Sequence, residues 1–318
     1  MKTIDLCGLL LLTASISAFT QENTAGQSES QIVSSTIPAG ETTYSPLNLG
    51  VGFSRKVFYS VNIQDATAAA HIIILKIVQN TGTVINLETR VYEDNEAIIA
   101  DLKENKLDII AVLSEDLPEL MRKNVLDPFL IEIGKKDVYE HFVLCTRTDR
   151  QGSGLESLAG RTLTISSSVD SDLPIYWLSL LLDEQSLPNA EFFFSKIDKI
   201  QRPEQAIMRV FFSKSNACLV PRQTYQVLGE MNPQIAREMI VIQESPGFIN
   251  GVICLSWTLT ELKRRSTIEE TLLNMKREAG GRQMMDLFKI HDFLPYDEKY
   301  LHDTFDLITR YRALKQAR

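Results

Sequence analysis

The chain is short of cysteine, histidine, tryptophan and positive charge. Its 33 Lys and Arg stand against 41 Asp and Glu, a formal net charge of −8 over 318 residues. Nucleic-acid binding draws on a basic face, and the densest basic cluster, Lys263-Arg264-Arg265, reads as a solvated helix face. No nucleic-acid partner is therefore expected. The four histidines, His71, His141, His291 and His302, are scattered, whereas a metal site needs convergent ligands. His71 lies on an apolar helix and reads as a core residue. The sequence contains no HExxH, nucleophile elbow or P-loop, so neither enzyme activity nor a cofactor is expected. Beyond residue 20, no stretch approaches the ~18 unbroken apolar residues of a membrane span.

At the start, Lys2 precedes the apolar run Leu6–Leu12, and small or polar residues follow from Thr13 to Thr20. The run is too short for a bilayer, where ~20 residues are usual, and fits a secretory signal peptide over 1–20 with cleavage near residues 18–20. The mature chain is expected in the periplasm. Residues 21–44 are rich in Gln, Ser, Thr, Glu and Gly and cannot offset their ordering entropy by burial; they read as a flexible tether. What remains, 45–318, suits two medium domains. Three cysteines lie beyond the leader, Cys145, Cys218 and Cys254. Their spacing matches no metal motif. They read either as buried free thiols or, for Cys145 and Cys254, as a bridge in an oxidising compartment.

One pattern occurs twice. Leu47–Phe53 alternates and then turns small, as a strand opening into a loop does. A helical run follows at Ala66–Val78, then a strand at Val84–Tyr92, then a helix at Glu96–Asn105 capped by Asp94. Leu107–Leu113 is a strand of the fully buried type, ending at Ser114-Glu115-Asp116. In the second copy, Arg161–Ile165 is a strand running into Ser166-Ser167-Ser168. Asp172 and Pro174 start a helix over Ile175–Glu184. A strand at Ala190–Phe194, a helix at Pro203–Phe212 and a strand at Ala217–Val220 complete it, stopping at Pro221-Arg222. Such units imply right-handed parallel crossovers. Gln151-Gly152-Ser153-Gly154 is a flexible break. Met239–Gln243 and Gly251–Ser256 read as strands. The tail reads as helices over Leu259–Ala279, Gln283–Lys289 and Glu298–Ala313, expected to pack back onto the first lobe. The chain would cross between lobes near 143–155 and return near 240–255, making a two-segment hinge. Lobe one is then 45–142 plus 245–318, and lobe two 143–244.

At these residues the chain resembles a type 2 periplasmic solute-binding protein of the phosphate/phosphonate-binding branch associated with ABC transporters. Glu104-Asn105-Lys106-Leu107-Asp108-Ile109-Ile110-Ala111 is similar to the family's step into the last strand of lobe one. Leu155-Glu156-Ser157-Leu158-Ala159-Gly160-Arg161-Thr162-Leu163 is similar to its opening of lobe two. Ser215-Asn216-Ala217-Cys218-Leu219-Val220 resembles the matching step in lobe two, with Asn216 where the family usually has Asp. Leu287–Asp297 resembles the segment before the branch's final helix. The resemblance covers about 45–318. It implies an α/β fold of two lobes, each a mostly parallel sheet flanked by helices, with two crossing hinge segments. It also implies a small ligand such as a phosphonate, phosphate, or other small anion or zwitterion, trapped between the lobes and delivered to the membrane permease of an ABC transporter. A rival reading keeps the fold in a monomeric sensor or scaffold subunit that works with a membrane sensor kinase and has lost its ligand. A monomer is expected in either case.

Ligands of open parallel α/β sheets bind beyond the carboxyl ends of the strands. That rule selects Phe53, Ser54, Ser114 and Glu115 in lobe one, and Ser166, Ser167, Ser168 and Arg222 in lobe two. Hydroxyls and free amides at a helix opening favour an anion, and the resemblance places the branch's Ser/Thr cluster at Ser166–Ser168. Asp170 and Asp172 follow at once, a departure that speaks against a bare phosphate dianion. Arg222 offers a planar fork to a carboxylate or phosphonate, or is a surface arginine at a helix start. Phe53 is either an apolar wall or a core cap. Glu115 would welcome an amine, and Asp116 reads as a helix cap.

Overall fold

The computed structural model describes residues 32–36, 47–58, 62–79, 85–134, 137–149, 154–167, 170–259 and 262–317. The expected signal peptide and its cleavage site, most of the expected tether, Gln151–Ser153 and Ser168 lie outside the described residues.

The strands are β1 (Ile32–Thr36), β2 (Leu47–Ser54), β3 (Ile85–Tyr92), β4 (Ile109–Leu113), β5 (Leu126–Ile133), β6 (Phe142–Arg147), β7 (Thr162–Ile165), β8 (Lys196–Lys199), β9 (Ala217–Pro221), β10 (Met239–Glu244), β11 (Gly251–Ser256) and β12 (Asp292–Pro295). They form a seven-stranded sheet, β1-β3-β2-β4-β11-β5-β12, and a five-stranded sheet, β10-β6-β9-β7-β8. The helices are α1 (Ile63–Gln79), α2 (Asn95–Lys103), α3 (Leu117–Met121), α4 (Leu173–Glu184), α5 (Ala190–Phe193), α6 (Pro203–Phe211), α7 (Arg222–Met231), α8 (Pro233–Glu238), α9 (Leu262–Leu273), α10 (Ala279–Phe288) and α11 (His302–Ala317).

The pleat explains why the third strands read as unbroken apolar runs. Successive side chains on a strand face opposite ways. On β4, Ile109, Ala111 and Leu113 join the core beneath α1 and α10, while Ile110 and Val112 join the core with α2 and α3. On β9, Ala217 and Leu219 face α4, while Cys218 and Val220 face α6. Both faces of both sheets are thus covered, the condition under which alternation disappears.

The repeat extends to single hydrogen bonds. In the first sheet, the Gly50 N–H donates to Asp108 Oδ2 at 2.9 Å and the Asp108 N–H donates to the Gly50 carbonyl at 2.9 Å. In the second, the Thr162 N–H donates to Asn216 Oδ1 at 3.1 Å and the Asn216 N–H to the Thr162 carbonyl at 3.2 Å. The residue before each third strand ties down the first strand of its own sheet. This link needs an acceptor oxygen, which an amide supplies as a carboxylate does; Asn216 also accepts from Thr162 Oγ1 at 2.8 Å. Gly50 is required in its place, because a Cβ there would lie 2.1 Å from the Lys106 carbonyl oxygen.

Several expectations change. The sheets are mixed, not mostly parallel: β3-β2-β4 and β8-β7-β9 are parallel, but β11 and β6 run against their neighbours. Each of these is the strand that arrives from the other sheet. The outward crossing lies at 134–141, earlier than expected, because Phe142–Arg147 is already the inner strand of the second sheet; the return lies at 245–250. Ile32–Thr36, expected to be tether, pairs antiparallel with β3. Ala190–Phe194, expected as a strand, is the short helix α5 followed by Phe194, with Phe193 and Phe194 buried and Phe192 80% exposed. The strand itself is the polar edge segment β8. Nor does the whole tail return to the first lobe. Leu307 and Ile308 of α11 join the core of the second sheet, and Tyr311 stacks on Tyr176 of α4 with ring centroids 4.0 Å apart. The cysteines are free and buried, Cys254 in the first sheet and Cys145 opposite Cys218 in the second. His71 is buried as expected, its Nδ1 2.9 Å from Thr89 Oγ1.

Candidate functional site

Pairing directions place the functional loops. Because β11 is antiparallel to both β4 and β5, the carboxyl ends of β4 and β5 share an edge with the start of β11. Because β6 is antiparallel to β9, the end of β9 shares an edge with the start of β6. The crossing segments leave and enter at these edges, so the two edges face each other.

A cavity of about 650 Å³ with a mixed lining opens there, within the usual range of small-molecule sites. Glu132, Asn250, Gly251 and Lys289 line it from the first lobe, and Arg202, Glu204 and Arg222 from the second. Asp137, Tyr139, Glu140 and His141 line it from the outward crossing. Asn250 Nδ2 donates to Glu140 Oε2 at 3.0 Å, while its own Oδ1 is buried without a partner among the described residues. Glu132 lies against the backbone of Gly251, where a Cβ would come within 2.0 Å of Oε2. Burial pushes the Glu132 carboxyl up to about 7.

That shift sets a pH dependence. A raised carboxyl value means that the folded chain holds the proton more tightly than the unfolded chain, so stability falls as pH rises from the ordinary 4.5 towards 7. Glu132→Gln removes this loss. Relative to the native chain, its unfolding free energy should rise by about 2–3 kcal/mol between pH 4.5 and 7.5, read from urea unfolding at each pH. A difference that stays constant with pH would mean that Glu132 is not held neutral.

The expected site residues distribute unevenly. Arg222 does line the cavity, but its guanidinium is engaged by Glu244 at 2.7 Å and Asp137 at 3.4 Å. Ser114 is fully buried; its Oγ donates to the Ile249 carbonyl and its N–H to the Asn250 carbonyl at 2.7 Å. It therefore fastens the return crossing to the tip of β4. Phe53 is a core side chain instead of a cleft wall, stacked on Phe288 at 5.0 Å, because the inward pleat position of β2 points it under α10. Ser54 is buried beside it. Ser166 and Ser167 are buried at the end of β7, and Ser166 Oγ has no hydrogen-bond partner among the described residues.

Glu115 does something the sequence did not suggest. It projects from the first lobe to the N-terminus of α4 in the second. Its Oε2 accepts from Ser171 Oγ at 2.8 Å and from the Asp172 N–H at 2.9 Å. Ser171 in turn accepts from the Leu173 N–H at 3.1 Å, so the first turn of α4 is capped by Ser171 and Glu115 rather than by the Asp172 side chain. Lys56, just past the tip of β2, reaches Glu115 at 3.3 Å and Asp116 at 3.0 Å. Burial pushes the Glu115 carboxyl up, against the pull of Lys56 and the two donors. Burial opposes the charge on Lys56, yet Asp116 and Glu115 more than offset it and hold the ammonium above its ordinary value. Asp116, expected as a cap, makes no side-chain cap bond and serves this ion pair instead.

Sequence reasoning missed Lys56, Ser171, Glu132 and Asn250. Lys56 and Ser171 stand a few residues beyond the tips selected by the strand-end rule, in the same loops. Glu132 was missed because β5 went unread: Asp127, Pro128 and Glu132 break its apolar run. Among the described residues, no group of three or more His, Cys, Asp or Glu is placed to hold a metal ion, and no helix is long and apolar enough to cross a membrane.

Comparison with known proteins gives a consistent picture. The family profile described as the periplasmic substrate-binding protein of the phosphonate ABC transporter matches residues 65–301. No curated protein sequence matches. Among solved structures, the chain is similar to PhnD1 of Prochlorococcus marinus in complex with methylphosphonate, at 14% identity and a TM-score of 0.57 over 84% of this chain and 99% of that one. It is similar to XAC2383 of Xanthomonas citri bound to ATP, at 12% identity and a TM-score of 0.59 over 85% and 98%. A binding-protein component of a phosphonate ABC transporter from Pseudomonas aeruginosa aligns at 14% identity and a TM-score of 0.54 over 84% and 87%. At these identities the structural likeness establishes the two-lobed fold.

Proposed function

The chain belongs to the periplasmic substrate-binding proteins of phosphonate ABC transporters, and from that premise we propose that it captures a small zwitterion in the cavity between its lobes and presents it to a membrane permease. The observation that carries this reading is the cavity's mixed charge. Glu140 and Glu204 offer acceptors to an ammonium, while Arg202 and Lys289 bring positive charge for an acidic group. Family membership suggests a phosphonate as that group. Ligand contacts on both lobes favour the closed form by the difference in affinity between closed and open states. The leader at 1–20 would deliver the chain to the periplasm, and the permease would read the closed surface. A cleft filled by apolar residues, which the ligand-free sensor reading expects, is not what lines this cavity.

The test pairs calorimetry with small-angle scattering on the full mature chain, using 2-aminoethylphosphonate, methylphosphonate and a set of α-amino acids. A heat of binding accompanied by a smaller radius of gyration for at least one zwitterion is expected. No heat and no contraction across the set would overturn the proposal.

A further inference from the structure

We propose that Glu115 is a specificity-determining residue: it supplies, from the first lobe, the anion that fills the seat at the N-terminus of α4 in the second, and so bars small tetrahedral oxyanions from that seat. The inference rests on the interlobe capture reading, but concerns a different set of atoms.

The Ser171 hydroxyl and the Asp172 amide are the donors that a phosphate or phosphonate oxygen would use at a helix opening. Both already donate to one carboxylate oxygen, at 2.8 and 2.9 Å. Glu115 is only 4% exposed and Ser171 2%, so the contact is sealed from water. Lys56, 3.3 Å from the same carboxylate, supplies the counter-cation that an external anion would otherwise recruit. A second observation marks the place as a seat rather than an ordinary cap: Ser166 Oγ, in the same β7–α4 connection, is buried with no partner among the described residues.

Occupancy from within is hard to displace. A tethered carboxylate acts at the high effective concentration of an intramolecular partner. An incoming dianion would also meet Asp116, Asp170 and Asp172, which are paired with Lys56 and Lys199. A ligand whose charge is balanced within itself avoids that contest and enters the neighbouring cavity. The arrangement explains how this chain can carry the family's serine cluster and still surround it with acid.

The experiment measures affinity for inorganic phosphate and for methylphosphonate by calorimetry at pH 7.5. It compares the native chain, Glu115→Ala, Glu115→Gln and the double variant Glu115→Ala/Ser171→Ala, with circular dichroism confirming that each is folded. Glu115→Ala should bind at least one of the two oxyanions about tenfold or more tighter than the native chain, the value of charge-assisted hydrogen bonds regained. The double variant should lose that gain. Glu115→Gln keeps the side chain's volume and so carries the test if the alanine variant unfolds; it should gain a few-fold. Equal affinity in the native chain and both Glu115 variants, or no binding by any of them, overturns the proposal. Zwitterion binding by the native chain without an oxyanion gain in the variants would refute Glu115 as the gate and leave the capture reading standing. The reverse result would refute capture of a zwitterion and leave Glu115 in its role.

Discussion

A chain ending at Leu301 is expected to lose about 5 kcal/mol or more of stability, and to lose it from the second lobe first. The helix removed, α11, lies on α4. Leu307 is 4% exposed and Ile308 1%, both within the core that also holds Leu173, Trp177, Leu178 and Leu181. Burying a side chain of this size contributes about 1.5–3 kcal/mol, so two of them approach the stated loss. The Tyr176–Tyr311 stack and the ion pair between Arg310 and Glu184 go with them. The start of α11 adds a tie to the hinge: the Ile249 N–H donates to Thr304 Oγ1 at 3.0 Å in a buried setting. Truncation therefore strips one face of α4 and loosens the return crossing together. Thermal unfolding of the truncated chain should show an early transition with increased binding of an apolar dye. If Trp177 fluorescence and unfolding free energy stay within about 1 kcal/mol of the native chain, α11 does not brace the second lobe.

Such a brace bears on capture. The two sheets are joined by the crossings at 134–141 and 245–250, and α11 adds a third link, starting beside Leu301 in the first lobe's core and ending on α4. In the capture proposed above, closure would keep α11 seated on the second lobe. The expectation of a two-segment hinge came from reading crossings only in strands. A helix that changes lobes leaves no such mark, because its apolar spacing says which face is buried and not against what.

The same distinction separates what was legible from what was not. β4 and β9 could be read because both of their faces are buried, so nearly every residue is apolar. β8 could not, since an edge strand of sequence Lys-Ile-Asp-Lys carries no pattern. Ala190–Phe194 took its place on apolar content alone, when three consecutive phenylalanines serve a helical turn and a loop. The strand-tip rule reached Glu115 and Arg222 without the partners that each meets. Which partner a charged side chain meets depends on register between segments far apart in sequence: Glu115 lies 56 positions from Ser171, and Arg222 lies 85 from Asp137. Local chemistry cannot supply that register. The Asp108 and Asn216 steps were legible as motifs, and their physical reason, a reciprocal pair of bonds to the first strand, emerged only from the coordinates.

Replacing Phe248 with alanine is expected to destabilise the chain by about 3–5 kcal/mol, the usual cost of emptying a large aromatic site in a core that collapses only partly. Phe248 is 1% exposed and Phe142 fully buried, with ring centroids 6.3 Å apart. The two rings sit where the crossings run side by side. There, the Glu140 N–H donates to the Phe248 carbonyl at 2.8 Å and the Phe248 N–H to the Glu140 carbonyl at 2.9 Å. Three residues before Phe248, the Ser245 N–H donates to the Phe142 carbonyl at 2.9 Å, and Ser245 Oγ accepts from the Phe142 N–H at 2.8 Å. The crossings thus form a short antiparallel ladder beside which this pair of rings packs. Removing one ring leaves the ladder's hydrogen bonds in place but takes away the packing that fixes its twist. Unfolding free energy from urea titration should fall by the stated amount with an unchanged slope. Amide exchange at Glu140 and Phe248 should accelerate far more than at Val112 or Leu219, which lie inside the sheets. Uniform acceleration across all four positions would place the loss in global stability alone and remove the hinge from the explanation.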